Sequence, residues 1–251
     1  MGKLSGRVAL VTGAGQGVGK GIASALAQEG AAVVLTGRTL AKVQQAAAAI
    51  GAQGGRVLAL ECNVKEAVSL ERCVAETVRQ FGGLNILVNN AQEVPLGTLA
   101  EVTEHAFAAG WESGPLATFR LMKLCHPHLR NGGCIVNLAS PAAMRWDASG
   151  YGVYAAVKEA IRSLTRAAAC EWAKDGIRTN AILPLANSPG MEWWTRERPA
   201  EAAAFIATVP MQRVGDCEAD IGRFVATLCS DDCRYVNGQS IAVDGGQAYL
   251  G

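Results

Sequence analysis

Residues 8–19 read VALVTGAGQGVG, in which an apolar run passes directly into a glycine-rich turn. The first four of these residues show no polar alternation, which predicts a strand buried on both faces of a sheet. Gly13, Gly15 and Gly17 allow a tight turn and let the backbone approach a pyrophosphate closely. The helix pattern that begins near Val18 would direct free N–H groups and a positive dipole end at that anion. This stretch therefore predicts a dinucleotide-binding turn between a strand and a helix.

Similar apolar runs recur along the rest of the chain. We predict further strands at residues 32–35, 57–60, 85–89, 134–137, 179–183 and 240–243. Helix-period patterns lie between them, including long ones over 104–129 and 151–174. This alternation predicts the α/β class: one Rossmann-like domain over residues 1–251, with a doubly wound parallel sheet of about seven strands and helices on both faces. Ligands of such sheets bind beyond the carboxyl ends of the strands.

The charge balance excludes several classes of partner. The 251 residues include 23 basic and 22 acidic side chains, which gives a net charge of +1. No basic excess indicates nucleic acid or an anionic membrane. No apolar run reaches the ~18 residues of a membrane span, and residues 1–7 leave no room for a signal peptide before the first strand. We expect a cytoplasmic protein that acts on a small molecule.

The eight cysteines form no CxxC pair, which argues against a zinc site. Most of them stand in apolar or helical segments. We therefore expect reduced thiols and no bound metal.

Tyr154 and Lys158 stand four residues apart in a helical pattern, so both side chains project from one face of that helix. A free tyrosine has a pKa near ~10 and is a poor acid–base group at neutral pH. A neighbouring ammonium group favours the phenolate and lowers that pKa, which allows proton exchange with a carbonyl or alcohol oxygen. Alone, the same spacing also describes an amphipathic tyrosine beside a solvated lysine.

The glycine spacing after Thr12, together with the Tyr154/Lys158 pair, resembles the short-chain dehydrogenase/reductase family, and within it the 3-oxoacyl-ACP-reductase-like branch. The resemblance spans nearly the whole chain. It also includes Asn89-Asn90-Ala91, Asn137-Leu138-Ala139-Ser140, Asn180-Ala181-Ile182-Leu183-Pro184, Asn237-Gly238-Gln239 and Val243-Asp244-Gly245-Gly246. These motifs occur in the family's order, each near the end of a predicted strand or in a turn.

The resemblance implies a catalytic set of Ser140, Tyr154 and Lys158. Ser140 would hydrogen-bond the substrate oxygen, Tyr154 would donate or accept its proton, and Lys158 would lower the tyrosine pKa and hold the nicotinamide ribose. Ser140 stands fourteen residues before Tyr154, one more than the commonest family spacing. The cofactor-binding residues implied are Gly13, Gly15, Gln16, Gly17, Val18, Arg38, Asn63, Val64, Asn90, Ala91, Tyr154, Lys158 and Pro184.

The turn after the second strand favours NADP(H) over NAD(H). An acidic residue there would bind the ribose 2′-hydroxyl of NAD, whereas this chain has Gly37 and Arg38. A guanidinium group can bind a 2′-phosphate through charge-assisted hydrogen bonds. The alternative is that Arg38 stacks on the adenine of NAD, and Gln16 supports it because many NADP(H)-preferring relatives carry a basic residue in the glycine loop. Asn63 replaces the usual aspartate near the adenine amine.

One family position departs from the pattern. The resemblance places a catalytic asparagine in the long helix, but the corresponding residue is Gly114, and residues 104–129 contain no asparagine. The family asparagine supports a kink and holds a water that passes protons toward the lysine. We expect Gly114-Pro115 to distort the helix by another route. A freed carbonyl or the Ser113 hydroxyl could then hold the water.

The substrate side is predicted from the loops. Gln92 and Leu185 replace the usual glycines near the nicotinamide. Residues 187–210 form a segment expected to cover the substrate. The candidate substrate residues are Gln92, Met144, Trp146, Leu185, Trp193 and Trp194, although the last two are equally compatible with packing of that segment.

These patterns predict an NADP(H)-dependent oxidoreductase that interconverts a carbonyl and a secondary alcohol, with Tyr154 as the acid or base. Two alternatives stay open: an NAD-linked alcohol dehydrogenase with the same site, and a cofactor-binding homologue with weak catalysis. The resemblance also implies a homotetramer, or a dimer.

Overall fold

The computed structural model describes residues 2–145 and 148–248. Its strands are β1 (Val8–Thr12), β2 (Ala32–Gly37), β3 (Val57–Glu61), β4 (Ile86–Asn89), β5 (Cys134–Leu138), β6 (Arg178–Pro184) and β7 (Ser240–Val243). Within the described residues these seven strands form one sheet in the order β3-β2-β1-β4-β5-β6-β7. All six neighbouring pairs are parallel. The predicted α/β fold class, a doubly wound sheet of about seven strands, is confirmed.

The strand order reverses direction between β1 and β4. From β1 the chain builds outward to β2 and β3, whereas β4 pairs with the opposite edge of β1 and continues toward β7. Diverging connections leave a crevice at the carboxyl ends of these two strands, and this crevice is where ligands of doubly wound sheets bind. The glycine turn predicted from residues 12–19 leaves β1 at this point.

Nine α-helices connect the strands in the described residues. They are α1 (Gly17–Gln28), α2 (Leu40–Gly51), α3 (Ala67–Phe81), α4 (Glu104–Trp111), α5 (Ala117–Leu129), α6 (Gly152–Glu171), α7 (Pro189–Glu197), α8 (Pro199–Thr208) and α9 (Arg223–Cys229). Short 3₁₀ turns occupy Pro141–Met144, Ala173–Asp175 and Asp231–Cys233, and π turns occupy Glu112–Leu116 and Cys217–Gly222. The predicted covering segment, 187–210, contains α7 and α8.

The core lies in two apolar layers, one on each face of the sheet. Successive residues of β1 divide between them: Ala9 and Val11 pack with α1, α2 and α9, whereas Leu10 packs with α3 and α5. All three are fully buried. Because both faces of the central strands are covered, their sequences are apolar without alternation. This packing fixes the ends of β1, β4 and β5 relative to one another.

The described helices include none long and apolar enough to cross a membrane. All eight cysteines are free thiols. Residues 2–145 and 148–248 contain no cluster of three or more histidine, cysteine or acidic side chains arranged to hold a metal ion.

Helix α1 approaches the π turn Cys217–Gly222 backbone to backbone. A Cβ atom at Gly21 would lie 2.2 Å from the carbonyl oxygen of Cys217, and one at Gly222 would lie 2.5 Å from the carbonyl oxygen of Gly21. Helix propensity alone favours alanine over glycine by about 1 kcal/mol. The contact reverses that preference, because the clashing atoms belong to the backbone and cannot move away by rotation of a side chain.

We expect Gly21→Ala to lower the free energy of unfolding by about 3 kcal/mol. For a domain of this size the melting temperature would fall by about 6–12 °C. Lys20→Ala, at the exposed neighbouring position of the same helix, is the matched control and should leave the melting temperature nearly unchanged. A thermal unfolding curve of Gly21→Ala that matches or exceeds that of the unsubstituted protein contradicts this packing.

Candidate active site

The glycine turn leaves room for a ligand only because its residues lack side chains. Gly13 and Gly17 have positive φ angles of 65° and 56°, a conformation that glycine adopts at low cost. A Cβ atom at Gly19 would lie 2.4 Å from Asn90 Nδ2 and 2.5 Å from the carbonyl oxygen of Gly13. The turn therefore opens α1 with its first backbone N–H groups facing the crevice, the arrangement that binds phosphate groups.

Hydrogen bonds between β1 and β4 hold this turn in place. Asn90 Nδ2 donates to the carbonyl oxygens of Thr12 and Gly13, at 2.8 and 3.1 Å. The backbone N–H groups of Asn90 and Ala91 donate to Thr12 Oγ1, at 3.0 and 3.1 Å. Sequence reasoning noted Thr12 only as part of the motif. Its role in joining the two strands depends on a hydroxyl at the end of a buried strand.

A cavity of about 640 Å³ begins at the glycine turn and extends over the ends of β2, β4, β5 and β6. All thirteen residues predicted to bind the cofactor line it, from Gly13 to Pro184. The cavity lies within the size range of small-molecule sites. The glycine turn, the start of α1 and the cationic side chains along its wall fit a dinucleotide.

Ser140, Tyr154 and Lys158 line the same cavity. Ser140 follows β5 and caps the 3₁₀ turn that comes next, since its Oγ accepts a hydrogen bond from the N–H of Ala142 at 3.2 Å. Helix α6 places Tyr154 and Lys158 one turn apart, with Lys158 Nζ 5.5 Å from the centroid of the tyrosine ring. Lys158 Nζ donates to the carbonyl oxygen of Leu138 at 2.7 Å. The three predicted catalytic residues are thus brought together at the end of β5.

Comparison with known proteins places this arrangement in a family. A family model described as enoyl-(acyl carrier protein) reductase matches residues 13–248. A 12α-hydroxysteroid dehydrogenase from Clostridium sp. is 39% identical over 255 residues, and the alignment covers 98% of each chain. The chain belongs to the short-chain dehydrogenase/reductase family.

Two further relatives agree with this assignment. Versicolorin reductase 1 from Aspergillus parasiticus is 34% identical over 257 residues, which cover 97% of each chain. A short chain dehydrogenase from Burkholderia cenocepacia, with a crystal structure in complex with NADP, is 31% identical to this chain in sequence. It superposes with a TM-score of 0.90 over 98% of this chain and 99% of that one. The protein is therefore a short-chain dehydrogenase/reductase acting on CH–OH or C=O groups with NAD(P).

A buried polar chain holds the catalytic helix of this short-chain dehydrogenase/reductase against the sheet. Asn89 Nδ2 donates to Asn137 Oδ1 at 2.8 Å, and Asn137 Nδ2 donates to Thr165 Oγ1 at 2.9 Å. All three side chains are buried. The chain joins β4, β5 and α6, so it fixes the helix that carries Tyr154 relative to the strand ends.

Burial governs both ionisable groups of the catalytic pair. It raises the pKa of Tyr154 to about 12, and a hydrogen bond from the Ser140 hydroxyl only partly opposes this rise. Burial also lowers the pKa of Lys158 to about 7. The expectation that Lys158 lowers the tyrosine pKa is wrong: burial, Ser140 and Tyr151 shift this pKa, and the net direction is upward. Removing both groups from water disfavours phenolate and ammonium alike, so near neutral pH Tyr154 holds its proton and Lys158 is partly neutral.

The lysine shift makes stability depend on pH. Between pH 7 and Lys158's ordinary pKa of 10.5, the unfolded chain binds a proton that the folded chain does not. Stability therefore rises with pH across this window and is lowest below pH 7. We expect Lys158→Met to stabilise the cofactor-free protein more at pH 6 than at pH 9, by about 2 kcal/mol or about 4–8 °C. Thermal unfolding at both pH values measures the difference.

Lys174→Met is the matched control for this measurement, because Lys174 is exposed. Its effect on the melting temperature should be the same at pH 6 and pH 9. If the effect of Lys158→Met on the melting temperature is also the same at pH 6 and pH 9, the folded protein binds the Lys158 proton as readily as the unfolded chain does, and the prediction is wrong.

Charged residues cluster at the end of the cavity next to β2. Arg38 Nη1 lies 2.6 Å from Glu93 Oε1, and Lys65 Nζ lies 3.3 Å from the same oxygen. Lys42 Nζ donates to Gln16 Oε1 at 3.2 Å. Two cations thus pair with one carboxylate, and a third, Lys42, lines the same cavity. Sequence reasoning selected Arg38 but missed the other charged residues, and the only available signal was a charged side chain close to a motif.

The long helix predicted over 104–129 is interrupted where sequence reasoning placed a distortion. Glu112–Leu116 form a π turn containing Gly114-Pro115, and the N–H of Ala117 donates to the carbonyl oxygen of Glu112, five residues earlier. Ser113 Oγ donates to the carbonyl oxygen of Ala109 at 2.7 Å and accepts from the N–H of Glu93 at 2.9 Å. The Ser113 hydroxyl is therefore largely occupied by protein groups, which weakens the expectation that it holds a relay water.

The predicted substrate residues divide into two groups. Gln92 and Leu185 line the cavity, together with Met191 at the start of α7. Met144, Trp193 and Trp194 do not line it. Met144 packs with Ala139 and Leu183.

The remaining substrate candidates are three tryptophans: Trp193 and Trp194 of the covering segment, and Trp146. Trp194 packs edge-on against Phe205 of α8, with ring centroids 5.5 Å apart. Trp193 is 53% exposed. The Trp194 contact matches the packing alternative for the covering segment, whereas Trp193 is exposed to solvent. Trp146 lies outside the described residues.

Proposed function

We propose that this short-chain dehydrogenase/reductase interconverts a ketone and a secondary alcohol with NADP(H), and that Tyr154 is its acid–base group. The observation that carries the proposal is the meeting of Ser140, Tyr154 and Lys158 in the cavity that begins at the glycine turn. Hydroxyl, phenol and amine converge there on one substrate-sized space.

The chemistry divides between the cofactor and these side chains. The bound nicotinamide supplies or accepts the hydride. In the reductive direction the Tyr154 phenol, which is protonated at neutral pH, donates its proton to the substrate oxygen. The Ser140 hydroxyl hydrogen-bonds the same oxygen and stabilises the charge that develops on it. In the oxidative direction the same groups act in reverse.

The cationic cluster supports NADP(H). Arg38, Lys42 and Lys65 all line the cavity near the end of β2, where Arg38 and Lys65 pair with the carboxylate of Glu93. A 2′-phosphate placed among them would form charge-assisted hydrogen bonds, each contributing about 1.5–3 kcal/mol. The alternative, NAD(H), is supported by Glu93, because its carboxylate already pairs with Arg38 and can accept a hydrogen bond from a ribose hydroxyl.

The relatives suggest a fused-ring substrate. One is named for a 12α-hydroxysteroid and another for versicolorin. The wall near the catalytic set includes the apolar side chains of Leu185 and Met191. We therefore infer that a secondary alcohol or ketone on a fused ring system is the substrate class.

A substrate panel tests this proposal. Oxo- and hydroxysteroids, naphthol-type ketones, cyclohexanone and a short acyclic ketone are assayed with NADPH and NADH, following absorbance at 340 nm. We expect the fused-ring compounds to give the highest kcat/KM, and NADPH to exceed NADH by at least tenfold. Turnover limited to the acyclic ketone would contradict the substrate class, and a preference for NADH would contradict the cofactor.

The assembly and location are also proposals. Phe107, Trp111 and Phe119 are each 42–43% exposed on α4 and α5, and an apolar helix face of this kind favours a homotetramer or dimer. Eight free thiols favour a reducing, cytoplasmic compartment. Light scattering coupled to gel filtration measures the assembly.

A further inference from the structure

The carboxamide of Gln92 occupies the space into which a side chain at position 114 would project. A Cβ atom built on Gly114 would lie 2.3 Å from Gln92 Oε1, 2.9 Å from its Nε2 and 3.0 Å from its Cδ. Real Cβ atoms essentially never make contacts of 2.3 Å. A residue with a side chain at position 114 and the present conformation of Gln92 are therefore mutually exclusive.

The donor end of this carboxamide supports the π turn. Gln92 Nε2 donates to the carbonyl oxygens of Gly110 and Glu93, at 2.9 and 2.8 Å. Gly110 stands five residues before Pro115, which is the spacing of a π turn, and proline has no N–H to donate to it. Gln92 Nε2 is thus the nearer of two side-chain donors to this carbonyl, the other being Ser113 Oγ at 3.4 Å, and Gln92 joins the exit of β4 to that turn.

The acceptor end of the carboxamide is buried and has no protein partner. Gln92 Oε1 makes no hydrogen bond within the described residues, and an unsatisfied buried acceptor costs about 1–3 kcal/mol. Gln92, Ser113 and Lys158 all line the same cavity. The Lys158 amine, 3% exposed, has Leu138 O as a partner and keeps further donor capacity. One water would satisfy such groups, since buried waters typically make two to four hydrogen bonds.

We propose that Gln92 is the positioning residue that replaces a side chain at position 114, with its Oε1 orienting a water that carries protons to Lys158. The proposal rests on the acid–base role proposed for Tyr154. When the tyrosine gives its proton to the substrate oxygen, a phenolate remains. A proton passed from solvent through the water and Lys158 restores the phenol, so atoms and charge balance over the cycle.

Four variants test whether side chains at positions 92 and 114 compete for the same space: Gln92→Met, Gln92→Gly, Gly114→Asn and the double variant Gln92→Gly/Gly114→Asn. Gln92→Met keeps most of the volume and removes both hydrogen-bonding ends. Gly114→Asn alone should lower the melting temperature, because its Cβ would displace the Gln92 carboxamide from its hydrogen bonds to Gly110 and Glu93. The double variant should recover most of that loss, and this readout does not depend on activity. A double variant no more stable than Gly114→Asn would overturn the shared-space assignment.

Kinetics on the best substrate of the panel test the proton path. We expect Gln92→Met to lower kcat about 10- to 100-fold with an unchanged cofactor KM, and added imidazole at constant pH to restore part of the rate. The double variant should recover kcat to within about fivefold of the unsubstituted enzyme. A Gln92→Met enzyme with kcat within twofold, or one with a lowered rate that imidazole does not raise, would overturn the proton-path role.

The two proposals fail differently. If Tyr154→Phe is inactive while Gln92→Met is fully active, the acid–base role of Tyr154 stands and the role of Gln92 falls. If Tyr154→Phe keeps full activity, the proposed function itself is wrong.

Discussion

Tyr154→Phe is expected to lower kcat about 10³-fold in ketone reduction, because it removes the proposed proton donor and leaves the rest of the cavity intact. General acid–base catalysis by one side chain contributes about 10²–10⁴-fold, and the shape of the phenylalanine ring is otherwise the same. Binding of NADPH, measured by fluorescence titration, should change by less than about threefold, since the glycine turn and the cationic cluster are untouched.

Tyr151→Phe is the matched control. Its ring lies 6.1 Å from that of Tyr154, centroid to centroid, in an edge-on arrangement, and it does not line the cavity. Removing its hydroxyl should leave kcat within about threefold. An equal loss of activity in both variants would mean that the assay reports on packing at the start of α6 and not on proton transfer.

Arg38→Asp is expected to change the ratio of kcat/KM for NADPH to that for NADH by about 10³-fold in favour of NADH. The substitution removes charge-assisted hydrogen bonds to a 2′-phosphate, each worth about 10- to 100-fold in affinity, and adds a carboxylate that repels it. The same carboxylate can accept hydrogen bonds from the ribose hydroxyl of NADH. Initial rates with both cofactors at fixed substrate measure the ratio.

Two further variants serve as comparisons for Arg38→Asp. Glu93→Gln removes the carboxylate that pairs with Arg38 and Lys65, so we expect it to improve NADPH binding severalfold. Arg166→Asp, at an exposed position, makes the same charge change away from the cavity and should leave the ratio unchanged. An unchanged ratio in Arg38→Asp would mean that Arg38 does not contact the adenosine ribose, as the adenine-stacking alternative requires.

The strands could be predicted from sequence because burial on both faces of the sheet requires apolar residues at successive positions. Leu10 and Val11 face opposite layers and both must be apolar, so β1 appears as an uninterrupted run. The position of Ser140 followed from a motif at the end of such a strand, and that of Tyr154 from its four-residue spacing to Lys158 in a helical pattern. Their pKa values did not, because desolvation depends on how the loops and helices close over the cavity and not on the spacing within α6.

Sequence reasoning missed the contacts that depend only on tertiary packing, even where it had selected one of the partners. Lys65, Glu93 and Arg38 belong to three different loops that meet at one edge of the sheet. Gln92 and Gly114 stand twenty-two positions apart, and nothing in their local sequences links them. Conversely, Trp194 was grouped with the substrate residues on aromatic character alone, but the direction of its ring depends on how α7 and α8 pack together.

The contact between α1 and the turn Cys217–Gly222 bears on the order in which the protein is made. Gln28 Nε2 donates to Glu218 Oε1 at 2.6 Å across 190 positions, beside the backbone contact of Gly21. The helix predicted to receive the cofactor phosphates is therefore supported by residues that are synthesised after β6. Contacts of such separation form late. A nascent chain stopped after β6 carries every predicted cofactor-binding residue, yet its predicted phosphate-binding helix lacks this support, so we expect cofactor binding to require synthesis past Gly222.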